Sequence, residues 1–206
     1  MKPFDHNPAL PFPVAGAPSL EDDAALVRSF LAGNDRGFSD LLDRHMPTVY
    51  RFAYRYLANV DDASDVTQET FIRAWKHLAT FDQARSFRTW LLTIARNASL
   101  DFIKKKKPLL FSQLEAADAD LDTALAPYVE SPELPDAMFD RMATARVLDQ
   151  ALLRLSAPYR IVLSLRYAEG FKFREIAEIL GEPIDTVKSK HRRGLQQLKK
   201  HLPAGF

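Results

Sequence analysis

Apolar residues recur in steps of three and four along most of this chain, and nowhere do they alternate with period two over a useful length. Ser19 followed by Asp22 resembles a capping box with a shortened acid, placed ahead of a helical face of Ala24, Leu26, Val27, Phe30 and Leu31. Gly33-Asn34 ends that helix. A second helix is predicted from about Asp35, with Phe38, Leu41, Leu42 and His45 inside, stopping before Pro47. A third carries Val49, Phe52, Ala53, Tyr56 and Leu57. Asp61 or Asp62 is expected to cap a fourth, with Val66, Phe71, Ile72, Trp75 and Leu78 inward. After a loop over 79–85, Ser86 caps a fifth helix reaching about Lys107. Its stripe is Phe87, Trp90, Leu91, Ile94, Ala95, Ala98 and Phe102. Trp75 and Trp90 lie on apolar stripes and read as core.

Two segments break this rhythm. Residues 1–18 hold five prolines and little periodicity, the composition of a disordered tail. Residues 108–137 are acidic and Ala-rich, with Pro108, Pro127, Pro132 and Pro135, which is linker composition. Helical periodicity resumes at about Met138, through Ala143, Val147, Leu148, Ala151, Leu152 and Leu155. Pro158 opens a further helix with Val162, Leu163 and Leu165. The predicted fold is all-α: a helical unit over 19–107, a flexible acidic linker over 108–137, and a second helical unit over 138–206. No internal repeat is visible.

The second unit contains the stretch EIAEILGEPIDTVKSK, residues 175–190. It reads as a short helix, a break at Gly181 to Pro183, and a second helix. Ala177 is small where two helices cross, and Gly181 can take the left-handed backbone that a tight turn demands. Ile176, Leu180 and Val187 form the shared core, and Asp185 is expected to cap the second helix, which runs to about Leu202. On that helix Val187, Leu195, Leu198 and Leu202 fall within about 80° of one another. Lys188, Lys190, Arg192, Arg193, Lys199 and Lys200 occupy the opposite side. A basic outer face on the second helix of a helix-turn-helix suits a phosphate-lined major groove. A solvated charged face on a helical hairpin is the plainer alternative; the coincidence of turn, cap and one-sided charge favours DNA.

Charge sharpens this picture. The formal net charge of the whole chain is +1. From Arg141 onward, however, thirteen Lys and Arg stand against six Asp and Glu, a net of +7. Between Pro108 and Asp140 there are eight acids and no base. Such segregation points to an anionic partner for one part of the chain. There is no cysteine, hence no disulfide frame, thiolate zinc site or thiol nucleophile. The five histidines show no ligand spacing, and neither a phosphate-cradling Gly-rich loop nor a Ser-centred elbow is present. The expectation is a cytoplasmic protein, not an enzyme, with no cofactor, no metal and no membrane insertion.

The stretch LRLSAPYRIVLSLRYAEGFKFREIAEILGEPIDTVKSKHRRGLQQL resembles region 4 of the sigma-70 superfamily. DASDVTQETFIRAWKHL, followed by FDQARSFRTWLLTIARNASLDFIKKKK, resembles region 2. Their order and the acidic linker between them are similar to the extracytoplasmic-function (ECF) sigma factors. The resemblance implies a protein that binds core RNA polymerase, recognises promoter DNA and helps open it, and that is held in check by an anti-sigma factor. It implies that Asp65, Gln68 and Glu69 grip the beta-prime clamp of the polymerase. It places Phe81 and Asn97 at a pocket for a flipped base of the single-stranded minus-ten element. Thr186, Lys188, Ser189, Lys190, Arg192 and Arg193 would read the duplex minus-thirty-five element. The reading helix departs from the family at His191, where Leu is usual, at Gly194, where Ala is usual, and at Leu195, where Arg is common.

The chemistry agrees with these roles on its own terms. Capturing an unstacked base costs a few kcal/mol, and stacking on an aromatic side chain returns roughly 1–3 kcal/mol. Phe81 supplies an aromatic wall, Asn97 a polar edge, and Arg85, Arg88, Arg96 and the run Lys104 to Lys107 attract the strand. Each has a plainer reading: Phe81 stapling its loop to the core, Asn97 on a bare helix surface, the lysines suiting a helix C-terminus. The acidic linker is either an inert tether or a chain of carboxylates that imitates nucleic acid. A sigma-like decoy for an anti-sigma factor and a plain duplex-binding regulator are the rival functions.

Overall fold

The computed structural model describes the backbone of residues 20–111 and 147–202, and the side chains of 22–106 and 147–202. The expected tail, the Ser19 cap and most of the expected linker lie outside the described residues. What is described is helical, in chain order α1 (Leu20–Leu31), α2 (Arg36–Leu57), α3 (Val60–His77), α4 (Phe87–Phe111), α5 (147–153), α6 (Ala157–Leu163), α7 (Phe173–Leu180) and α8 (Ile184–His201). No strand occurs among the described residues.

Two boundaries differ from expectation. Pro47 does not divide α2, which runs unbroken past it. Proline removes one helical hydrogen bond, but the buried stripe Leu41, His45, Val49, Phe52 and Ala53 continues in register across it, and packing outweighs the lost bond. Helix α4 likewise extends through Pro108 to Phe111, so the start of the expected linker is helical. The cap of α3 is Asn59, whose side chain accepts from the Asp62 amide at 2.9 Å. Asp61 and Asp62 instead fill the first turn, where their charge meets the positive end of the helix dipole. The Ser86 hydroxyl accepts from the Thr89 amide at 3.3 Å, as its position before α4 predicts.

Helix α1 is fastened to α2 by two devices. Gly37 is buried beneath it, and a Cβ there would stand 2.5 Å from the Leu26 carbonyl oxygen, so only glycine permits the approach. The second device is polar. Asp23, 2% exposed, accepts from Arg44 Nη1 at 2.8 Å and lies 3.0 Å from Nε2 of His45, itself 2% exposed and set on the Phe87 ring. Burial by itself raises the Asp23 pKa, but the hydrogen bonds and charges of His45 and Arg44 outweigh it and hold the carboxyl below its ordinary value.

The core does not divide at the expected linker. Val27, Leu41, Val49, Leu78, Phe87, Leu91 and Leu92 from the first unit share one apolar cluster with Ile161, Val162, Leu165, Ile176, Ile179 and Val187 from the second. Helix α4 packs on α7, and α2 on α6. Arg160, fully buried, closes the seam: Nε donates to the Arg55 carbonyl at 2.7 Å, and Nη1 to the Leu153 and Leu155 carbonyls at 3.1 and 3.3 Å. One cation thus answers the carbonyl ends of α2 and α5. Burial, with the neighbouring Arg55 charge, lowers its pKa to about 10.

Asp23→Asn should cost about 3 kcal/mol at pH 7, because it strands buried partners. The Asp23 pKa is lowered in the folded chain. Its contribution is therefore complete above the unfolded value of about 3.9 and disappears as pH falls through the lower folded value. Urea unfolding of both forms from pH 7 to pH 3 checks this: the wild-type advantage should shrink on acidification, and a constant gap would refute it.

Candidate nucleic-acid interface

The helix-turn-helix is formed as expected. Helix α7 opens with the Glu175 carboxylate turning back to accept from the Lys172 amide at 2.7 Å. It closes at Gly181, whose φ of 61° is left-handed, with the Glu182 amide donating to the Ala177 carbonyl at 3.0 Å. The cap of α8 is Pro183, not Asp185. Asp185 lies one residue inside the helix, exposed, and faces the dipole from the first turn.

The inner face of α8 is rotated slightly from the leucine stripe. Val187 and Gly194 are buried, His191 lies between them, and Leu198 packs on Leu148, Leu152, Leu155 and Leu163. Leu195 is 38% exposed, at the edge of the stripe. His191 shares a 3.0 Å hydrogen bond with the Tyr167 hydroxyl and stands edge-on to Phe173. Burial, then the nearby Arg166 charge, depresses its pKa, so the imidazole is neutral at pH 7. Gly194 has a packing reason: a Cβ there would meet Leu163 and Tyr159 at 3.3 Å. Outward, Thr186, Lys188, Arg192, Arg193, Lys199 and Lys200 are exposed. Ser189 is half-buried, and Lys190 is drawn aside to Glu182 at 2.8 Å.

A second cationic surface lies on α4 and the loop before it. Arg85, Arg88 and Arg96 each meet the second unit there, whereas Asn97 leaves α4 on the side opposite Arg88, and Phe81 does not present a ring. It is buried, edge-on to Phe87 and 4.9 Å from the Trp90 ring, because the loop gains more by packing its aromatic inward. The arginines are engaged by the second unit. Arg88 donates to the Glu169 carboxylate at 2.5 Å and to its backbone carbonyl at 2.9 Å, and lies over the Phe171 ring. Arg51 reaches the same carboxylate at 3.0 Å. Arg85 pairs with Glu178, and Arg96 lies against the Gly181 turn. Beside Arg96, burial pushes the Tyr56 pKa up to about 12 against the pull of that guanidinium. Asn97 is exposed. Of the lysine run, Lys106 is tied to Asp62 at 2.5 Å.

A third surface lies on α3. Asp65, Gln68 and Glu69 are exposed, with Glu69 linked through Arg73 to Asp101 of α4. Those two carboxylates raise the Arg73 pKa. Alongside runs an apolar groove of about 880 Å³ between α2 and α3, lined by Phe38, Leu42, Met46, Tyr50, Phe71 and Trp75. Trp75 is 55% exposed and Ile72 is 48% exposed, so neither is core as the apolar stripe suggested. The stripe is wider than the seam that α3 buries. Gln68, Ile72 and Trp75, spaced four and three, were the signal that a second, outward face carries apolar residues. Trp90, by contrast, is packed against the core.

A helical protein with a basic reading helix and a separate cationic helix face belongs to the class of nucleic-acid-binding regulators. Its relatives specify which one. The Sigma-70 region 2 family matches residues 41–108, and the Sigma-70 region 4 family matches residues 145–198. The chain is 35% identical over 176 residues to the ECF RNA polymerase sigma factor SigW of Bacillus subtilis, covering 85% of this chain and 94% of SigW. It is 33% identical over 187 residues to the ECF RNA polymerase sigma factor SigL of Mycobacterium tuberculosis, covering 90% and 93%. Among solved structures, the sigma factor RpoE bound to the anti-sigma factor NepR, from Bartonella quintana, matches with a TM-score of 0.63 at 26% identity, covering 82% of this chain and 98% of RpoE. This chain belongs to the extracytoplasmic-function sigma factors of the sigma-70 family, alternative sigma factors of promoter recognition and transcription initiation. None of the described helices is long and apolar enough to cross a membrane.

Gly194→Leu should cost about 1–3 kcal/mol by overpacking the crossing of α6 and α8. Gly194→Ala should gain less than the roughly 1 kcal/mol that helix propensity offers. Thermal unfolding of the two variants checks both; a Leu variant as stable as the parent would show that the crossing is loose.

Proposed function

We propose that this sigma factor docks on core RNA polymerase through the α3 face of Asp65, Gln68 and Glu69. The neighbouring apolar groove, with Ile72 and Trp75, extends that contact. Helix α8 then reads the minus-thirty-five element as duplex through Thr186, Lys188, Ser189, Lys190, Arg192 and Arg193. Arg85, Arg88, Arg96 and Asn97 hold the minus-ten element as a single strand. The protein carries no catalysis of its own; the polymerase supplies it, in the cytoplasm.

One observation carries this reading: α8 keeps Val187, His191, Gly194 and Leu198 against its own domain and turns Lys188, Arg192 and Arg193 to solvent. A helix so divided can enter a major groove without unpacking, its cations on phosphates and its first turn at base edges. The exposed Trp75 and Ile72 support a protein partner for α3, since large apolar side chains beside polar ones mark interaction surfaces. RpoE was solved with an anti-sigma factor, which supports a partner of that kind for this chain as well.

Run-off transcription with purified core enzyme is the direct test: promoter-dependent product should appear only when this protein is added. Trp75→Ala should weaken core binding by about 2 kcal/mol, the size of an anchoring aromatic. Duplex binding should weaken as salt rises, with a log–log slope of about 0.9 per phosphate contacted. Lys188→Ala and Arg192→Ala should each flatten that slope by about one contact. A slope indifferent to both would remove α8 from the phosphate backbone.

A further inference from the structure

Promoter recognition leaves two features of the free chain without a use: the apolar groove between α2 and α3, and the proline-rich segment ahead of α1. We propose that they belong to each other. Residues 5–14, DHNPALPFPV, lie in cis along the groove as a polyproline II segment and cover Trp75 until polymerase displaces them. The displacement rests on the α3 docking face assigned above; the occupancy of the groove does not.

Large apolar side chains left bare together mark a contact surface. Met46, 42% exposed, joins Trp75 and Ile72 in lining the groove, and Phe38, Tyr50 and Phe71 complete its aromatic wall. Grooves of this kind take polyproline II segments, whose backbone is preformed and whose carbonyls have no internal hydrogen bonds. Gln68 and the Tyr50 hydroxyl line the groove as donors for those carbonyls. The segment has the matching composition, with Pro8, Pro11 and Pro13 set among Leu10, Phe12 and Val14.

Length and register agree. Phe38 to Tyr50 on α2 and Ser64 to Lys76 on α3 are equal stretches of helix, which makes the groove about 18 Å long. Polyproline II has three residues per turn, so Pro8, Pro11 and Val14 fall on one line of about 19 Å. Helix α1 fixes the direction. It runs antiparallel to α2, with Phe30 on Phe38 at one end and Asp23 on His45 toward the other. The chain ahead of Leu20 therefore leaves near the Tyr50 end. From Val14 to Leu20 the backbone spans up to about 20 Å, enough to cross the roughly 10–12 Å breadth of a helix. With Val14 at Tyr50, Pro8 reaches the end where Phe38 faces Trp75. Asp5, next on the same line and the one acid of residues 1–19, then meets Lys76, exposed at that end.

A tether makes a weak site sufficient. At an effective concentration of about 1 mM, an intrinsic affinity of about 0.1 mM closes roughly nine chains in ten. Polymerase, contacting the same groove, then finds it open in about one chain of ten, and freeing the groove raises its apparent affinity about tenfold.

The test uses the full chain with Trp90→Phe, a conservative change that leaves Trp75 as its one tryptophan. Acrylamide quenching of Trp75 emission reports the groove, and titration of core polymerase reports docking. Pro8→Ser with Pro11→Ser and Val14→Ser touches none of the described helices. It should raise the quenching constant about twofold and tighten core binding about tenfold. Asp5→Lys should act in the same direction to a smaller extent, and Asp5→Lys with Lys76→Asp should restore the protection. Quenching indifferent to the triple variant overturns the docking, and a charge swap that restores nothing overturns the register. Protection that grows with protein concentration overturns the cis arrangement in favour of a second copy. If quenching rises while core affinity stays unchanged, the groove holds the segment, and its assignment to polymerase fails instead.

Discussion

The Glu169 carboxylate sits where the two helical units meet, out of water and between two arginines of the first unit. An isolated carboxylate at such a depth would cost several kcal/mol, and either arginine alone would leave oxygens unanswered. Together with Thr48 they satisfy it, so the seam is defined by which donors converge there and not by apolar area alone. Leu165, Phe171 and Ile176 fill the space around it, but an apolar surface tolerates sliding; a carboxylate with three donors does not. This side chain thus adds a directional constraint to the apolar packing of α7 on α4.

The same logic appears at the far end of the first unit, where Asp23 binds His45 and Arg44 beneath α1. The two buried acids differ in what surrounds them. Asp23 joins neighbouring helices of one unit, with Gly37 allowing backbone-close packing beside it. Glu169 joins units whose sequences are separated by the acidic stretch, and its donors Arg51 and Arg88 reach it from α2 and α4, half-exposed in the case of Arg51. A pair held by close helix packing is part of the fold. A pair held across a seam, with one donor reaching solvent, is the element from which a conformational change can be made.

Helix period, the Gly181 turn and the Ser86 cap were legible in the sequence, because each is set by neighbours within a few positions. Pro47 misled because its effect is local, whereas the stripe that carries α2 across it is assembled from α1, α3 and α4. Asn59 was hidden as a cap by the two acids after it, either of which has the right chemistry at the wrong position. On α3 the period identified Trp75 as apolar but not which apolar face would find a partner inside the chain. The same ambiguity put Leu195 on the inner stripe of α8 and missed Gly194, whose value lies in the closeness of α6 and cannot be seen from one helix. Arg85 and Arg88 were legible as cations; that acids far along the chain would meet them was not, since nothing in the spacing of Glu169 or Glu178 refers to α4.

Charge segregation therefore has two levels in this protein. At the level of the chain, bases collect in the second unit and acids in the stretch before it. At the level of side chains, the second unit's acids divide: Glu169 and Glu178 pair with Arg88 and Arg85 of the first unit, whereas Glu182 and Asp185 pair with Lys190 and Lys188 of α8. Glu169 and Glu178 near those cations would weaken the positive potential along α8 further. Placed against α4 and the loop before it, they add nothing to what Glu182 and Asp185 already take from the potential of α8, and they lower that of the second cationic face. The two cationic surfaces are thus left unequally paired, Arg192 and Arg193 of α8 exposed and Arg88 engaged by Glu169, and the difference is produced by where a few carboxylates point.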